Sequence, residues 1–279
     1  MRFRSTNYLA NGLIGVTAVI AAAGRFGGGH ETAHPVQPQP VPFITAAVTR
    51  TTPALAADIR ERPAGRAKSA LDALASSVRR MSDPRALEAA FNSYFAYREA
   101  HPGDVRKPYL YYVDYGLASS EPRGYVFDME QLKVIDGPFT VAHGRGSSKR
   151  RNGIPTRFSN APGSAATSLG LYLAQETYGF SGKAGGVRYT SVGLRLKGLS
   201  GDWNDNARAR GVVAHGAPYV TRGGAGRSEG CPAMEQERAR ELLPKLANGG
   251  MVFLFAPEQS WITSDPWVAS AELTPGNRS

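Results

Sequence analysis

Along the chain the apolar positions fall at helical spacing between residues 66 and 100, then change to short β-rich runs from residue 109. In "RAKSALDALASSVRR", Arg66 to Arg80, the residues Leu71, Leu74 and Val78 share one helical face. A second helix is expected to start with Asp83 as N-cap and Pro84 at its first position, with Leu87, Phe91, Tyr94 and Phe95 as its apolar stripe. His101-Pro102-Gly103 closes it, which makes His101 a helix C-terminal residue. An aromatic stripe of this kind predicts core packing rather than a binding surface.

From Tyr109 onward, "YLYYVDY", "GYVFDM", "LKVIDG", "FTVAHG", "LGLYLAQET", "SVGLRLKG", "GVVAHG" and "MVFLFA" read as strands separated by Gly, Pro, Asn and Asp turns. One late helix, "EQERARELLPKL", is closed by Gly249-Gly250. Short strands at this spacing favour a mainly β (α+β) fold, a curved β-sandwich or barrel-like domain preceded by a short helical pair.

The first 53 residues follow neither pattern. Two arginines precede an apolar run from Leu13 to Ala23 that ends in three alanines, the layout of an export signal cleaved near Ala23. That run is shorter than the roughly 20 residues of a transmembrane helix, and an uncleaved N-terminal membrane anchor is the alternative. The Pro- and Gln-rich stretch that follows reads as an extended tether, and it contains His30 and His34. The expected organisation is a signal peptide over 1–23, a linker over 24–63, a helical accessory segment over 64–103, a catalytic domain over 104–260 and a C-terminal tail over 261–279. Either reading of the N-terminus places the body of the protein in the periplasm or cell envelope.

A formal charge of +10 suits anionic partners such as cell-wall polymers or lipid headgroups, or is simply a solvated basic surface. No nucleic-acid-binding module accompanies it, so no nucleic-acid partner is expected. The chain is expected to be monomeric.

Candidate chemistry concentrates in "GRSEGCPA", Gly226 to Ala233, where two nucleophiles stand three residues apart. Ser228 satisfies a loose G-x-S-x-G pattern. That motif requires a strand before the serine and a histidine after it, and no histidine follows residue 215. Cys231 is the only cysteine, so an intramolecular disulfide is excluded. A thiol needs a base to become thiolate, and His215 stands at the end of the apolar run "GVVAH", from which a Gly-rich loop of fifteen residues leads back to Cys231. A thiol activated in this way is expected to alkylate well below pH 8. The bland alternative is a buried cysteine and a structural histidine. His143, His215 and Cys231 lack any recognised metal-ligand spacing, and no cofactor or metal is expected.

These residues also carry a resemblance. "VAHGAPYVTRGGAGRSEGCPA" is similar to the catalytic core of the YkuD-type L,D-transpeptidases, and the Pro-Ala after the cysteine is closest to the murein L,D-transpeptidase catalytic-domain branch. The likeness covers roughly Tyr109 to Pro257 and includes "AHGRGS", "TRFSNAPGSAATSLG" and "GLSGDWNDNARARGVVAHG". It implies export, peptidoglycan stem peptides as substrate, Cys231 as nucleophile and His215 as base. By position it also implies oxyanion-hole amides at Glu229, Gly230 and Cys231, a loop-bracing hydroxyl at Ser228, and reactivity toward carbapenems. The commoner motif has His where Glu229 stands and Arg or Asn where Ala233 stands, so acceptor-side roles do not transfer. The resemblance leaves L,D-transpeptidation, L,D-carboxypeptidase action and a non-catalytic wall-binding protein as readings.

His143, Arg145, Arg157, Ser159, Asn160 and Tyr219 are the expected substrate-cleft residues: the arginines to bind stem-peptide carboxylates, Ser159 and Asn160 to fix a wall. A backbone carbonyl between Gly216 and Tyr219 is the first expectation for the group that orients His215, with Asp202 and Asp205 as alternatives.

Overall fold

The computed structural model describes residues 62–150 and 152–269, all within one unit spanning Thr51–Ser279. The expected signal, all of the linker before residue 62 and the last ten residues lie outside the described residues. Helix α1 (Pro63–Leu74) has Pro at its first position and buries Ala67, Ala70 and Leu74. Helix α2 (Ala86–Ala100) buries Leu87, Phe91, Tyr94 and Phe95 as its spacing predicts, and His101 is its C-cap. It begins two residues later than expected. Asp83 instead accepts from the Arg85 amide at 2.8 Å in a turn just upstream, which delays the first helical residue to Ala86.

The strands are β1 (Tyr109–Asp114), β2 (Gly124–Asp128), β3 (Lys133–Phe139), β4 (His143–Gly144), β5 (Gly170–Ala184) and β6 (Val187–Gly198). They continue as β7 (Val213–Gly216), β8 (Val220–Thr221), β9 (Gly224–Ala225), β10 (Arg227–Ser228), β11 (Ala233–Met234) and β12 (Met251–Phe255). Eight of them form one mixed sheet in the order β11-β7-β6-β5-β12-β1-β2-β3, and β4 pairs separately with β10. The fold is therefore mixed α+β, built on an open curved sheet rather than a closed barrel. A single bridge from Ala142, just past one edge strand, to Ala233 on the other links the two edges.

Every residue of β12 is buried, which is why "MVFLF" is continuously apolar instead of alternating. Helix α2 packs on β12, β1 and β5, while α3 (Gln236–Leu246) packs on β6 and β7. Both N-terminal helices share one apolar core with the sheet. Fully buried Asp114 ties them to it by accepting from the Ser82 amide at 2.8 Å and the Ser82 hydroxyl at 2.6 Å. The segment expected to be a tail from residue 261 starts inside helix α4 (Gln259–Ser264): Trp261 is fully buried and donates to Asp265 at 2.9 Å.

The β5–β6 hairpin is longer than its apolar runs suggest. Beyond Ala174 its side chains are mostly half-buried or exposed, so hydrophobic alternation fades while the ladder continues. Gly185 at φ +57° and Gly186 at φ +84° form its tip, a two-residue turn that needs positive φ at both positions.

Candidate active site

Strands β7 and β11 run parallel, with Ala233 opposite His215, and this register sets Cys231 two residues upstream of that pair. The same β7 is paired on its other side to β6, so the histidine backbone is held from both flanks. Gly211, at φ +68°, turns the chain into β7, and its carbonyl accepts from the Cys231 thiol at 3.9 Å. Burial pushes the thiol up from its ordinary range; the Val213 amide and the Arg210 cation oppose this, and Glu229 adds to it. That direction runs against the expectation of alkylation well below pH 8.

His215 is 7% exposed. Its Nδ1 lies 3.1 Å from the Gly216 carbonyl, which can only accept, so the proton sits on Nδ1 and the lone pair on Nε2. The orienting group is thus a backbone carbonyl; Asp202 and Asp205 face Asn160 instead. The rings of Phe180 and Tyr219 stand edge-on to the imidazole, at 5.5 and 6.5 Å between centroids. Burial pushes the imidazole down, with the Gly216 bond working against it. The resting pair is therefore neutral thiol and neutral imidazole, and the two make no direct hydrogen bond in this state, as is common before substrate tightens a site.

Ser228 spans the nucleophile loop. Its hydroxyl donates to the Cys231 carbonyl at 2.7 Å and accepts from the Gly230 amide at 3.1 Å. That occupies one of the three amides expected for an oxyanion hole; the Glu229 and Cys231 amides have no hydrogen-bond partner among the described residues. Gly230 sits at φ +124°, and a Cβ there would stand 2.9 Å from the Ala166 carbonyl, so only glycine fits. Ser228→Ala should leave the enzyme able to be acylated while lowering stability by about 1–2 kcal/mol for the two lost bonds. Intact mass after acylation and a denaturant midpoint check this; a variant that takes up no acyl group would return the serine to candidacy.

The remaining expected cleft residues divide. Arg145 pairs with Glu229 at 2.7 Å, both well exposed, so its cation is already occupied. Arg157 is exposed and only its amide is engaged, with the Ser147 carbonyl. Ser159 accepts from the Ala161 amide through its hydroxyl, and Asn160 donates to Asp205 at 2.6 Å, so both side chains are engaged within the loop and its neighbour.

His143 departs most from expectation. It is fully buried rather than lining an open cleft, and its Nδ1 accepts from the Arg123 guanidinium at 3.0 Å, which leaves the proton on Nε2, without a partner among the described residues. Arg123 is itself fully buried, bound to the carbonyls of Leu117 and Val141. Burial and the Arg123 charge push His143 down to about 3. The unfolded chain takes up this proton below an ordinary histidine value of about 6.5 and the folded chain does not. Stability from this group is thus complete above that value and lost as pH falls from 6.5 toward 3. Melting at pH 7 and pH 4.5 should show a shallower pH dependence in His143→Gln than in wild type; equal slopes would contradict the assignment.

Spacing missed Phe180, Tyr115 and Arg210. Phe180 lies on the faded half of β5. Tyr115 donates to the Ala142 carbonyl at 3.2 Å. Arg210 lacks a motif that marks it, and its bonds run to Ser159, Ser164 and Ala166, far back in the chain. Among the described residues no cluster of three or more His, Cys, Asp or Glu could hold a metal ion.

Among solved structures, an L,D-transpeptidase from Mycobacterium smegmatis is 16% identical with a TM-score of 0.35, over 53% of this chain and 59% of that one. An L,D-transpeptidase from Mycobacterium tuberculosis H37Rv is 16% identical with a TM-score of 0.30, over 53% of this chain and 57% of that one. The chain thus spans less than two thirds of the length of either. No curated protein matches the chain. The family model for the L,D-transpeptidase catalytic domain matches residues 79–255, more than half of the chain, and reaches from the α1–α2 connection through the cysteine loop to β12; this protein belongs to that family.

Proposed function

We propose that this protein is an L,D-transpeptidase that transfers acyl groups between peptidoglycan stem peptides, with Cys231 as nucleophile and His215 as its base. The observation that carries the reading is the tautomer of His215: the Gly216 carbonyl fixes the proton on Nδ1 and leaves the Nε2 lone pair free, two residues from the cysteine in register.

In the first half-reaction the His215 Nε2 takes the thiol proton as sulfur bonds to the carbonyl carbon of the L-centre of the third residue in a tetrapeptide stem. The Glu229 and Cys231 amides, which no other group engages among the described residues, are the donors assigned in this reading to the developing oxyanion. As the tetrahedral species collapses, the C–N bond to the terminal D-Ala breaks, His215 returns the proton to the leaving amine, and a Cys231 thioester remains. In the second, an amine of a neighbouring stem bonds to that carbon, loses its proton to His215, and expels the thiolate. Burial that keeps both groups neutral at rest suits this cycle, because charge develops only where the amides stand.

The substrate places the working protein in the cell envelope, in keeping with the signal-like leader over residues 1–23. Incubation with tetrapeptide-bearing muropeptides, followed by mass analysis, tests the reading. A cross-linked dimer with release of D-Ala is the expected result. A tripeptide monomer alone would make water the acceptor and the enzyme an L,D-carboxypeptidase, and no change in mass would refute acyl transfer on this substrate.

A further inference from the structure

Arg210 has no carboxylate partner among the described residues. Its guanidinium donates to the carbonyls of Ser159 at 2.9 Å and Ala166 at 2.7 Å, and to the Ser164 hydroxyl at 3.2 Å. These three acceptors belong to the wall segment, yet the same Nη2 lies 3.5 Å from where a Cβ on Gly230 would stand, and the Ala166 carbonyl it holds is what excludes any side chain there. The next residue, Gly211, places its carbonyl 3.9 Å from the Cys231 sulfur. Residues 210 and 211 therefore lie against residues 230 and 231, with the Arg210 cation beside Gly230 and the Gly211 carbonyl at the Cys231 sulfur.

The other groups that act on the sulfur do not supply positive charge. Tyr115 at the end of β1, Tyr178 on β5, Tyr189 on β6 and Tyr219 after β7 are all pushed up by burial and stay neutral phenols. Glu229 is acidic and already paired with Arg145. His215 is held down by burial.

We propose that Arg210 is a positioning residue for the Cys231 thiolate: it clamps the Ser159–Ala166 wall against the nucleophile loop and supplies the positive charge that the ionised sulfur meets. The clamp and the charge are one device, because the guanidinium fork that fixes Ala166 is what brings the cation to the sulfur. A planar fork serves this better than an ammonium, which would keep the charge and lose the paired geometry.

The inference rests on Cys231 being the nucleophile, but its test is separate. The pH dependence of iodoacetamide alkylation is measured on the purified full chain, wild type, Arg210→Gln and Arg210→Lys, with thermal melting to confirm the fold of each. An opposite charge this near shifts a titration by about 1 unit or more. Arg210→Gln should raise the alkylation midpoint by about that much and slow alkylation at pH 7.5 by roughly three- to tenfold, since a more basic thiolate is also somewhat more nucleophilic. Arg210→Lys should return most of the way to the wild-type midpoint while its muropeptide turnover stays low for want of the fork.

A midpoint in folded Arg210→Gln equal to wild type overturns the proposal. So does an Arg210→Lys midpoint raised by a full unit, and this arm decides the matter alone where the glutamine variant does not fold. Failure of the transpeptidase reading would appear instead as absent turnover in the wild type, with the midpoints unaffected.

Discussion

Cys231→Ala should lose muropeptide turnover to background, a drop on the order of 10⁴-fold or more, as removal of a covalent nucleophile does. No other thiol exists in the chain to substitute. The Ser228 hydroxyl is equally unable to take over, because it spends its proton on the Cys231 carbonyl and a lone pair on the Gly230 amide. Cys231→Ala should melt close to wild type, since the residue is only half-buried and its thiol makes weak sulfur contacts, with the Gly211 carbonyl at 3.9 Å and with the Val213 amide. Product analysis by mass and a melting curve are the two readings. Residual turnover well above background would mean that another group carries the acyl chain.

His215→Ala should slow acylation by about 10² to 10⁴-fold, the range of a positioned general base. Its pH profile adds a signature. With the imidazole pushed down by burial, the base stays neutral below the ordinary histidine range, so the acidic limb of wild-type acylation should lie below about pH 6.5. In His215→Ala that limb should vanish and the residual rate should follow thiol ionisation alone. Removing a ring packed edge-on between Phe180 and Tyr219 also leaves a void, so His215→Gln serves as the companion variant for stability. A pH profile unchanged in both variants would take His215 out of the reaction.

The dyad was legible in the sequence for a physical reason. A lone cysteine behind an export-like leader and a histidine at the tip of an apolar run both call for a role, and the Gly-rich loop between them is long enough to fold back. Most strands and the α2 stripe were legible for a different reason: their burial alternates or runs continuously at the strand or helix period, as in "MVFLF". What the period could not reveal is where burial and structure part company. The outer half of the β5–β6 hairpin keeps its ladder without an apolar face, so Phe180 was missed although it packs on the base. Helix α4 is short and its anchor, Trp261 on Asp265, is a single pair rather than a pattern.

The roles of charged residues were the least legible. Arg145 and His143 read as cleft residues from a cation suited to carboxylates and a histidine just after an apolar run, yet one is bound to Glu229 and the other is sealed against Arg123. Arg210 and Arg123 act through carbonyls distant in sequence, and a carbonyl acceptor leaves no trace in residue type. The lowering of the thiol titration expected from a neighbouring imidazole is opposed by desolvation, which depends on the whole fold and leaves no trace in the local sequence.

Intact-protein mass spectrometry with a carbapenem tests the central claim most directly. A strained β-lactam offers an acyl carbon to the sulfur and, once opened, leaves a thioester poorly placed for an incoming amine. Wild type should gain one adduct of whole-drug mass that persists for hours, His215→Ala should gain it at least about 10²-fold more slowly, and Cys231→Ala should gain none. An adduct that persists in Cys231→Ala, or acylation of His215→Ala as fast as wild type, would contradict acyl transfer by the Cys231–His215 pair.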